Sequence, residues 1–429
     1  MTVRFLHAAD IHLGNRQYGR QERQDDFARA FREMVQAAIT ARVDFMLVAG
    51  DLFHKRTVEA RTFVQTAGLL ALLKEHGIPV LAVEGNHERP YFTEGFSWLD
   101  GLAELGLIRV LSGDYAEGVL TLNPYDDQHR RGAYVDIRGV RIYGQRYFGA
   151  STPRVIADLT LALEGLHEHD AGPRPDFSVL MLHAGLDGIL DQYAGTVSRN
   201  VLDGLRPFVD YVALGHIHKP YSQDDWLYNP GSLENNSADE AQWEDRGYYL
   251  VEVEPGPPAQ HTATLHRSTR RPYLRHQFSV DAYETPEALL DALTRDLKRL
   301  PSAGDQPIVE LRLNGVLNLS RQDLDLARIQ QIAESLLDPL LCQVQDQTRS
   351  NAYEFRTDEQ MSRQELERAV LTEIVQNDVR RRPHAERWAG AALRIKQMAL
   401  ARSHPQEIVG ELEALLDAID ADGKREEQI

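Results

Sequence analysis

Val43-Asp44-Phe45-Met46-Leu47-Val48-Ala49-Gly50-Asp51-Leu52-Phe53-His54 reads as an apolar strand that ends abruptly in a glycine and a carboxylate. A continuous apolar run such as Phe45 to Ala49 fits a strand buried on both faces, and Gly50 lets the backbone turn tightly where the strand leaves its sheet. Asp51 is then presented at the carboxyl end of that strand. The same pattern recurs along the chain. Val3 to Ala9 runs into Asp10-Ile11-His12, Pro79 to Val83 into Gly85-Asn86-His87-Glu88, Phe177 to Leu182 into His183, and Tyr211 to Leu214 into Gly215-His216-Ile217-His218. In open α/β sheets ligand sites form outside the carboxyl ends of strands, so these ends can converge on one site.

Helical spacing fills the gaps between the strands. Phe27, Phe31, Met34, Val35, Ala38 and Ile39 predict a crossover helix over 25–42, and hence a parallel, right-handed βαβ unit. The pattern repeats over 58–75, with Gly77 as a stop signal, and a further helix is expected over 93–105. Residues 134–143 read as a hairpin turning at Arg138-Gly139, and 153–167 as a helix with Thr152 as its N-cap. The Pro- and Gly-rich Glu254-Pro255-Gly256-Pro257-Pro258 marks an expected edge of the first domain.

A smaller α+β unit is expected next: strand 277–280, helix 286–300, strand 308–313, helix 324–337 and strand 342–346. No ligand-like residues end these strands, which suggests a substrate-shaping role. The tail is helical, opening on a capping box at Ser362-Arg363-Gln364-Glu365, interrupted at Pro383, and resuming over 384–402 and from Pro405 to about Ile419. The domains expected are therefore 1–256, 266–350 and 362–421.

With 429 residues, 42% hydrophobic and 26% charged, the composition is that of a globular protein with two to three domains. No apolar run approaches a membrane span and Asp10 follows too soon after Met1 for a secretory signal, so a cytoplasmic location is expected. The single cysteine, Cys342, excludes an intramolecular disulfide and a Cys-rich zinc site. A net charge of −18 argues against a simple electrostatic nucleic-acid binder. Cations cluster locally, however, at Arg16, Arg20 and Arg23, at Lys55 and Arg56, and at Arg267, Arg270, Arg271 and Arg275.

Asp10, His12 and His218 can hold one metal ion and Asn86, His183 and His216 a second, with Asp51 bridging them. Oxygen and imidazole donors without thiolate suit Mn²⁺, Fe²⁺ or Zn²⁺ at a separation of about 3.5–4 Å. Two divalent ions among two carboxylates and neutral donors leave a net positive centre, which attracts a phosphodiester and acidifies a water for in-line attack. His87, beside Asn86 but pointing elsewhere, is the expected proton donor to the leaving oxygen, and His54 the next residue to touch substrate. Each histidine alone would be structural more often than not; the joint pattern is far more specific.

Asp10-Ile11-His12, Gly50-Asp51, Gly85-Asn86-His87-Glu88, His183-Ala184-Gly185 and Gly215-His216-Ile217-His218 resemble the five motifs of the calcineurin-like metallophosphoesterases. Within that superfamily, His12-Leu13-Gly14 with Arg16-Gln17-Tyr18, Gly50-Asp51-Leu52-Phe53-His54 and Asn229-Pro230-Gly231-Ser232 resemble the SbcD, or meiotic-recombination-eleven, nucleases. The resemblance covers about 1–350, and the tail matches only in being helical. It implies an α/β fold, a four-layer αββα sandwich with a smaller capping domain, and two Mn²⁺ ions, with Mg²⁺, Fe²⁺ or Zn²⁺ as alternatives. It also implies a 3′ to 5′ exonuclease and single-strand endonuclease acting on DNA ends, a homodimer, and an SbcC-type coiled-coil ATPase bound by the C-terminal helices. His87 and His54 match the family's non-ligand catalytic positions, and Arg16, Tyr18, Lys55, Arg89 and Ser232 are the expected substrate contacts.

Two other readings stay open on sequence alone. Gly85-Asn86-His87-Glu88 is shared with protein phosphatases, although Leu-Phe-His-Lys follows Asp51 where those have Val-Asp-Arg-Gly. A nonenzymatic scaffold for an ATPase is the other.

Overall fold

The computed structural model describes residues 2–90, 95–169, 175–190, 195–254, 256, 259–301, 304, 306–350, 362–376, 381–401 and 403–426. Two six-stranded sheets dominate it. In the first, the strands run in the order Gln260–Arg267, Gly247–Glu254, Val3–Ala8, Phe45–Val48, Val80–Ala82 and Arg109–Val110. The last four are parallel, as the crossover helices Gln21–Ala41 and Ala60–Glu75 require, and the first two join antiparallel. The second sheet runs Tyr221–Gln223, Leu227–Asn229, Tyr211–Leu214, Phe177–Leu182, Val140–Gln145 and Tyr134–Ile137, with a parallel centre and antiparallel edges.

Alternation sorts the side chains into three cores. Phe5, Phe45, Leu47, Leu81, Ile142, Val179, Met181, Tyr211 and Val251 fill the space between the sheets. Leu6, Ala8, Met46, Val48, Val80 and Ala82 face the other way, onto Phe31, Met34 and Val35 of the first helix and Leu70 and Leu73 of the second. Across the molecule, Tyr143, Leu180, Leu182, Val212 and Leu214 pack against Ile156, Leu159 and Leu163 of the helix Thr152–His169. The result is the expected four-layer αββα sandwich. Phe5 stacks on Phe45 at 5.0 Å and meets Tyr211 edge-on at 5.3 Å, so truncating it to alanine would cost about 3–5 kcal/mol.

Three local expectations change. The Pro- and Gly-rich segment does not end the sheet: Glu254 pairs with Gln260 and the strand Gln260–Arg267 continues it. Thr152 is not an N-cap. It has helical angles itself, and its hydroxyl donates to the Gly149 carbonyl of a preceding 3₁₀ turn at 2.7 Å. Within 93–105 the helix spans Trp98–Glu104, capped by Ser97 and Asp100 bonding reciprocally at 3.2 and 2.7 Å; residues 93 and 94 lie outside the described residues.

The chain divides into two compact units, 1–315 with 322–348 and 316–321 with 349–429. The first includes the smaller layer expected as a cap, in which Tyr273–Ser279, Ile308–Asn314 and Leu341–Asp346 are parallel strands joined through the helices Pro286–Leu297 and Leu326–Leu337. In the second, Val316–Leu317 pairs with Arg349–Ser350, and helices span Arg363–Gln376, Ala385–Leu400 and Pro405–Glu426. Ser362 and Glu365 form the expected capping box, at 2.8 and 3.3 Å. Lys396–Glu367 and Arg394–Glu411 ion pairs tie the three helices together, while Ile374, Leu400, Val409 and Leu416 remain exposed. Among the described residues no helix is long and apolar enough to cross a membrane.

Candidate metal centre

The donors sit where strands of both sheets end, and the backbone there is unusual. Asp10, His12, Asp51 and His216 all have positive φ, at 51, 52, 53 and 77°. Such angles are uncommon outside glycine, and they persist only where the surroundings over-determine them. Here the amides of Ile11 and His12 both bond to the Asp51 carbonyl, at 2.9 and 3.0 Å, and His216 N–H donates to both Asp10 carboxylate oxygens, at 3.1 and 3.0 Å. Glu88 completes the bracing. Its carboxylate, fully inside, accepts from the amides of Asp51, Phe53 and Gly85 at 3.0, 2.8 and 2.9 Å.

Close approach explains two glycines. A Cβ on Gly50 would lie 2.2 Å from His183 Nδ1, and one on Gly85 2.1 Å from Asp51 Oδ1. Neither contact is tolerable, so a larger residue at either place must displace a donor.

All seven donors singled out in the sequence come together. Asp51 Oδ2 lies 3.3 Å from His183 Nε2 and 3.8 Å from His12 Nε2. His12 Nε2 and His218 Nε2 are 3.1 Å apart, with Asp10 Oδ1 3.7 Å from the latter. Asn86 Oδ1 sits 3.0 Å from both His183 Nε2 and His216 Nδ1. Asp10, His12 and His218 form one group able to hold a metal ion, and Asp10, Asp51 and His183 another.

The tautomers decide what these distances mean. His183 Nδ1–H donates to the Ala49 carbonyl at 2.8 Å, and His218 Nδ1 faces the Glu240 carboxylate at 2.8 Å. In the neutral rings both Nε2 atoms therefore turn a lone pair toward the centre, where the Asp51 and Asp10 carboxylates are themselves acceptors. Lone pairs facing one another at 3 to 4 Å repel unless a cation lies among them. A divalent ion meets that demand, and the N/O donor set with no thiolate fits a hard or borderline metal.

The titration shifts express the same demand. Burial pushes Asp10 up to about 6. Burial would raise Asp51 as well, yet His183 and His12 overcome it and hold that carboxyl far below its usual range. For His183 burial is the largest single effect and lowers it, yet the charge and hydrogen bond of Asp51, with Asp10 and the Ala49 carbonyl, together overcome burial and lift it to about 9. Each acceptor thus looks for positive charge, from protons where no metal supplies it.

His87 and His54 stand on the His12 side, with ring centroids 4.8 and 5.5 Å from that of His12. His87 Nδ1–H donates to the His54 carbonyl at 2.5 Å, which leaves Nε2 facing the centre 3.9 Å from Asp51 Oδ2. Arg16, Lys55 and Arg89 are exposed close to the donor loops in sequence, and the Tyr18 hydroxyl bonds that of Tyr273 at 2.8 Å. Ser232 is a correction. It is fully buried, its hydroxyl donating to Glu240 at 2.9 Å and accepting from Arg246 at 2.6 Å, so it cannot touch a substrate.

Sequence reasoning missed the group that Ser232 belongs to. Glu240 holds His218, and Arg246, with no exposure, holds Glu240 at 2.8 Å. His218 and Arg246 overcome the cost of burial and pull Glu240 down to about 2. A charged carboxylate behind a metal-facing imidazole fixes its tautomer and raises its basicity. The basic clusters need correcting too. Arg23 is buried against Asp26 and Glu234 at 2.7 and 3.2 Å. Arg271 pairs with Asp26 at 2.6 Å, Arg275 with Glu310 at 2.8 Å, and Arg270 bonds the Arg246 carbonyl at 2.7 Å. Arg271 thereby fastens the smaller layer to the sandwich, and none of these arginines is free for a polyanion.

A family model described as calcineurin-like phosphoesterase matches residues 3–220, which carry all seven donors. Among curated proteins, a DNA double-strand break repair protein Mre11 of Archaeoglobus fulgidus is 33% identical over 249 residues, 56% of this chain and 52% of that one. Proteins of the same description from Methanosarcina acetivorans (29% identical, 70% of this chain, 44% of that one) and Saccharolobus solfataricus (28%, 73% and 75%) are also similar. The match thus spans only about half the length of the first two relatives. With a family model covering half its length, the chain belongs to the calcineurin-like phosphoesterases.

Proposed function

We propose that this chain is a two-metal phosphodiesterase acting on DNA, a nuclease that processes the ends of double-strand breaks. The observation that carries the chemistry is the convergence of His183 Nε2 and His12 Nε2 on Asp51 Oδ2, at 3.3 and 3.8 Å. Similarity to the Mre11 proteins supports the choice of DNA.

Asp10, His12 and His218 would hold one ion and Asn86, His183 and His216 the other, with the Asp51 carboxylate available to both groups. When bound, the two ions neutralise the phosphodiester and supply an acidified water as nucleophile. The protein's own groups do the rest. Glu88 fixes the spacing of the loops bearing Asp51 and Gly85, and Glu240 aims His218. His87, anchored through Nδ1, presents Nε2 to the leaving oxygen and gives it a proton.

Mn²⁺ suits this donor set, with Mg²⁺, Fe²⁺ and Zn²⁺ as alternatives. We assign 3′ to 5′ exonuclease and single-strand endonuclease activities, and place the protein in the cytoplasm. Val64 on the helix Ala60–Glu75 and Phe96, Trp98 and Leu105 at the helix Trp98–Glu104 are exposed, which favours a homodimer formed there. The exposed Ile374, Leu400, Val409 and Leu416 of the tail helices favour docking of an SbcC-type ATPase. The parts proposed are the phosphoesterase sandwich of 1–256, extended by the strand Gln260–Arg267, the capping layer of 266–350 and the partner-binding helices of 362–421.

The test is metal analysis combined with an assay on end-labelled duplex DNA. About two ions per chain and loss of cleavage on His87→Ala are the expected results. Preference for a phosphomonoester over a phosphodiester, or cleavage by His87→Ala as fast as by the original chain, would overturn the reading.

A further inference from the structure

Beside Asn86, His183 and His216 stands an aromatic side chain that no strand-end motif marks. Tyr147 follows the strand Val140–Gln145, and its amide donates to the Glu84 carbonyl at 2.9 Å, tying it to the loop that bears Asn86. Its ring centroid lies 5.3 Å from that of His216, tilted by 38°, and 5.8 Å from that of His183, edge-on at 74°. A Cβ placed on Gly195 would be 2.8 Å from the Tyr147 hydroxyl and 2.7 Å from His216 Nε2. The hydroxyl therefore lies on the Nε2 side of the His216 ring, whose Nδ1 faces Asn86 Oδ1 at 3.0 Å. Among the described residues it has no hydrogen-bond partner, and the side chain is only half-buried.

The placement is complementary to that of His87 and His54. Those two rings neighbour His12, whereas Tyr147 neighbours His183 and His216 on the other group of donors. A phosphodiester spanning the centre would have its leaving oxygen toward His87. Its non-bridging oxygens, which collect charge during in-line displacement, would need a donor elsewhere. A phenol is protonated at neutral pH and can donate to a phosphoryl oxygen.

We propose that Tyr147 is a substrate contact, its hydroxyl donating a hydrogen bond to a non-bridging phosphoryl oxygen held beside Asn86, His183 and His216. The inference rests on the phosphodiesterase reading above. A donor aimed at charge that develops during reaction lowers the barrier more than it tightens ground-state binding.

The experiment compares the full-length Mn²⁺-loaded chain with Tyr147→Phe, which removes the hydroxyl and keeps the ring. With bis(p-nitrophenyl) phosphate, kcat should fall about 10- to 100-fold while KM changes by less than about 3-fold. Bound metal should be unchanged, and inorganic phosphate should bind the variant several-fold more weakly by calorimetry. Original kcat and phosphate affinity in the variant would overturn the inference, as would a loss of activity that follows a loss of bound metal. A parent chain that binds phosphate through Tyr147 but hydrolyses no phosphodiester would sink the function reading alone.

Discussion

Residue by residue, the donors were legible and their supports were not. Asp10, Asp51, Asn86, His183, His216 and His218 follow apolar runs, and a strand end is a place that sequence periodicity can locate. Glu240 lies in the short 3₁₀ helix Ala238–Gln242 and Arg246 and Tyr147 in connecting segments, and Glu240 reaches His218 across a gap of 22 positions that no local pattern encodes. The same limit misplaced Ser232. We expect Glu240→Gln to weaken metal binding about 10- to 100-fold, read by equilibrium dialysis with Mn²⁺, because His218 loses a charged partner for its Nδ1–H. His7 offers a second test away from the metal. It lies wholly between the sheets, its Nε2–H donating to the Leu214 carbonyl at 3.1 Å and its Nδ1 accepting from the Tyr211 hydroxyl at 2.9 Å. Burial lowers it from 6.5 to about 3. The unfolded chain therefore takes up a proton that the folded one refuses, and stability present in full above pH 6.5 is lost as pH falls toward 3. The loss by pH 5 is about 2 kcal/mol. In urea titrations, His7→Gln should show a shallower loss between pH 7 and pH 5 than the parent chain.

Among the elements, period and punctuation worked well where an element packs on one face. The helices Gln21–Ala41 and Ala60–Glu75 and the hairpin at Arg138-Gly139 appear where they were expected, because each buries a stripe or alternates in and out. Punctuation failed where proline and glycine mark a turn inside a sheet, as between Glu254 and Gln260. One surface stands out. Phe63 and Trp98 lie 5.3 Å apart by ring centroid, and Phe96 and Val64 are 53% and 68% exposed. A dimer formed on this face should be broken by the pair Val64→Asp and Phe96→Asp, moving the mass measured by light scattering to that of one chain. Hydrolysis of a small chromogenic diester should survive, because neither residue borders the donors.

Taken whole, the molecule carries −18, and the structure removes most of the arginines that were to offset it locally. Counting cations from sequence could not show this, since the acidic partners Asp26, Glu234 and Glu310 are distant in the chain from some of the arginines they hold. Arg16, Arg20, Lys55 and Arg89 remain exposed and, among the described residues, without an ion pair. If these four carry the phosphate contacts, the logarithm of DNA affinity should fall with the logarithm of salt at a slope of about −3 to −4. Fluorescence anisotropy between low and physiological salt measures it, and a flat response would place DNA elsewhere. Lys55→Ala should flatten the slope by about 1, whereas Arg271→Ala should act on stability. The left-handed turns at Asp10, His12, Asp51 and His216 set a limit on how such a protein can be improved. At these places glycine would relax the chain while abolishing a donor, so selection for heat resistance alone would push the fold toward an inert relative. Durability and reactivity compete here over the same few peptide units.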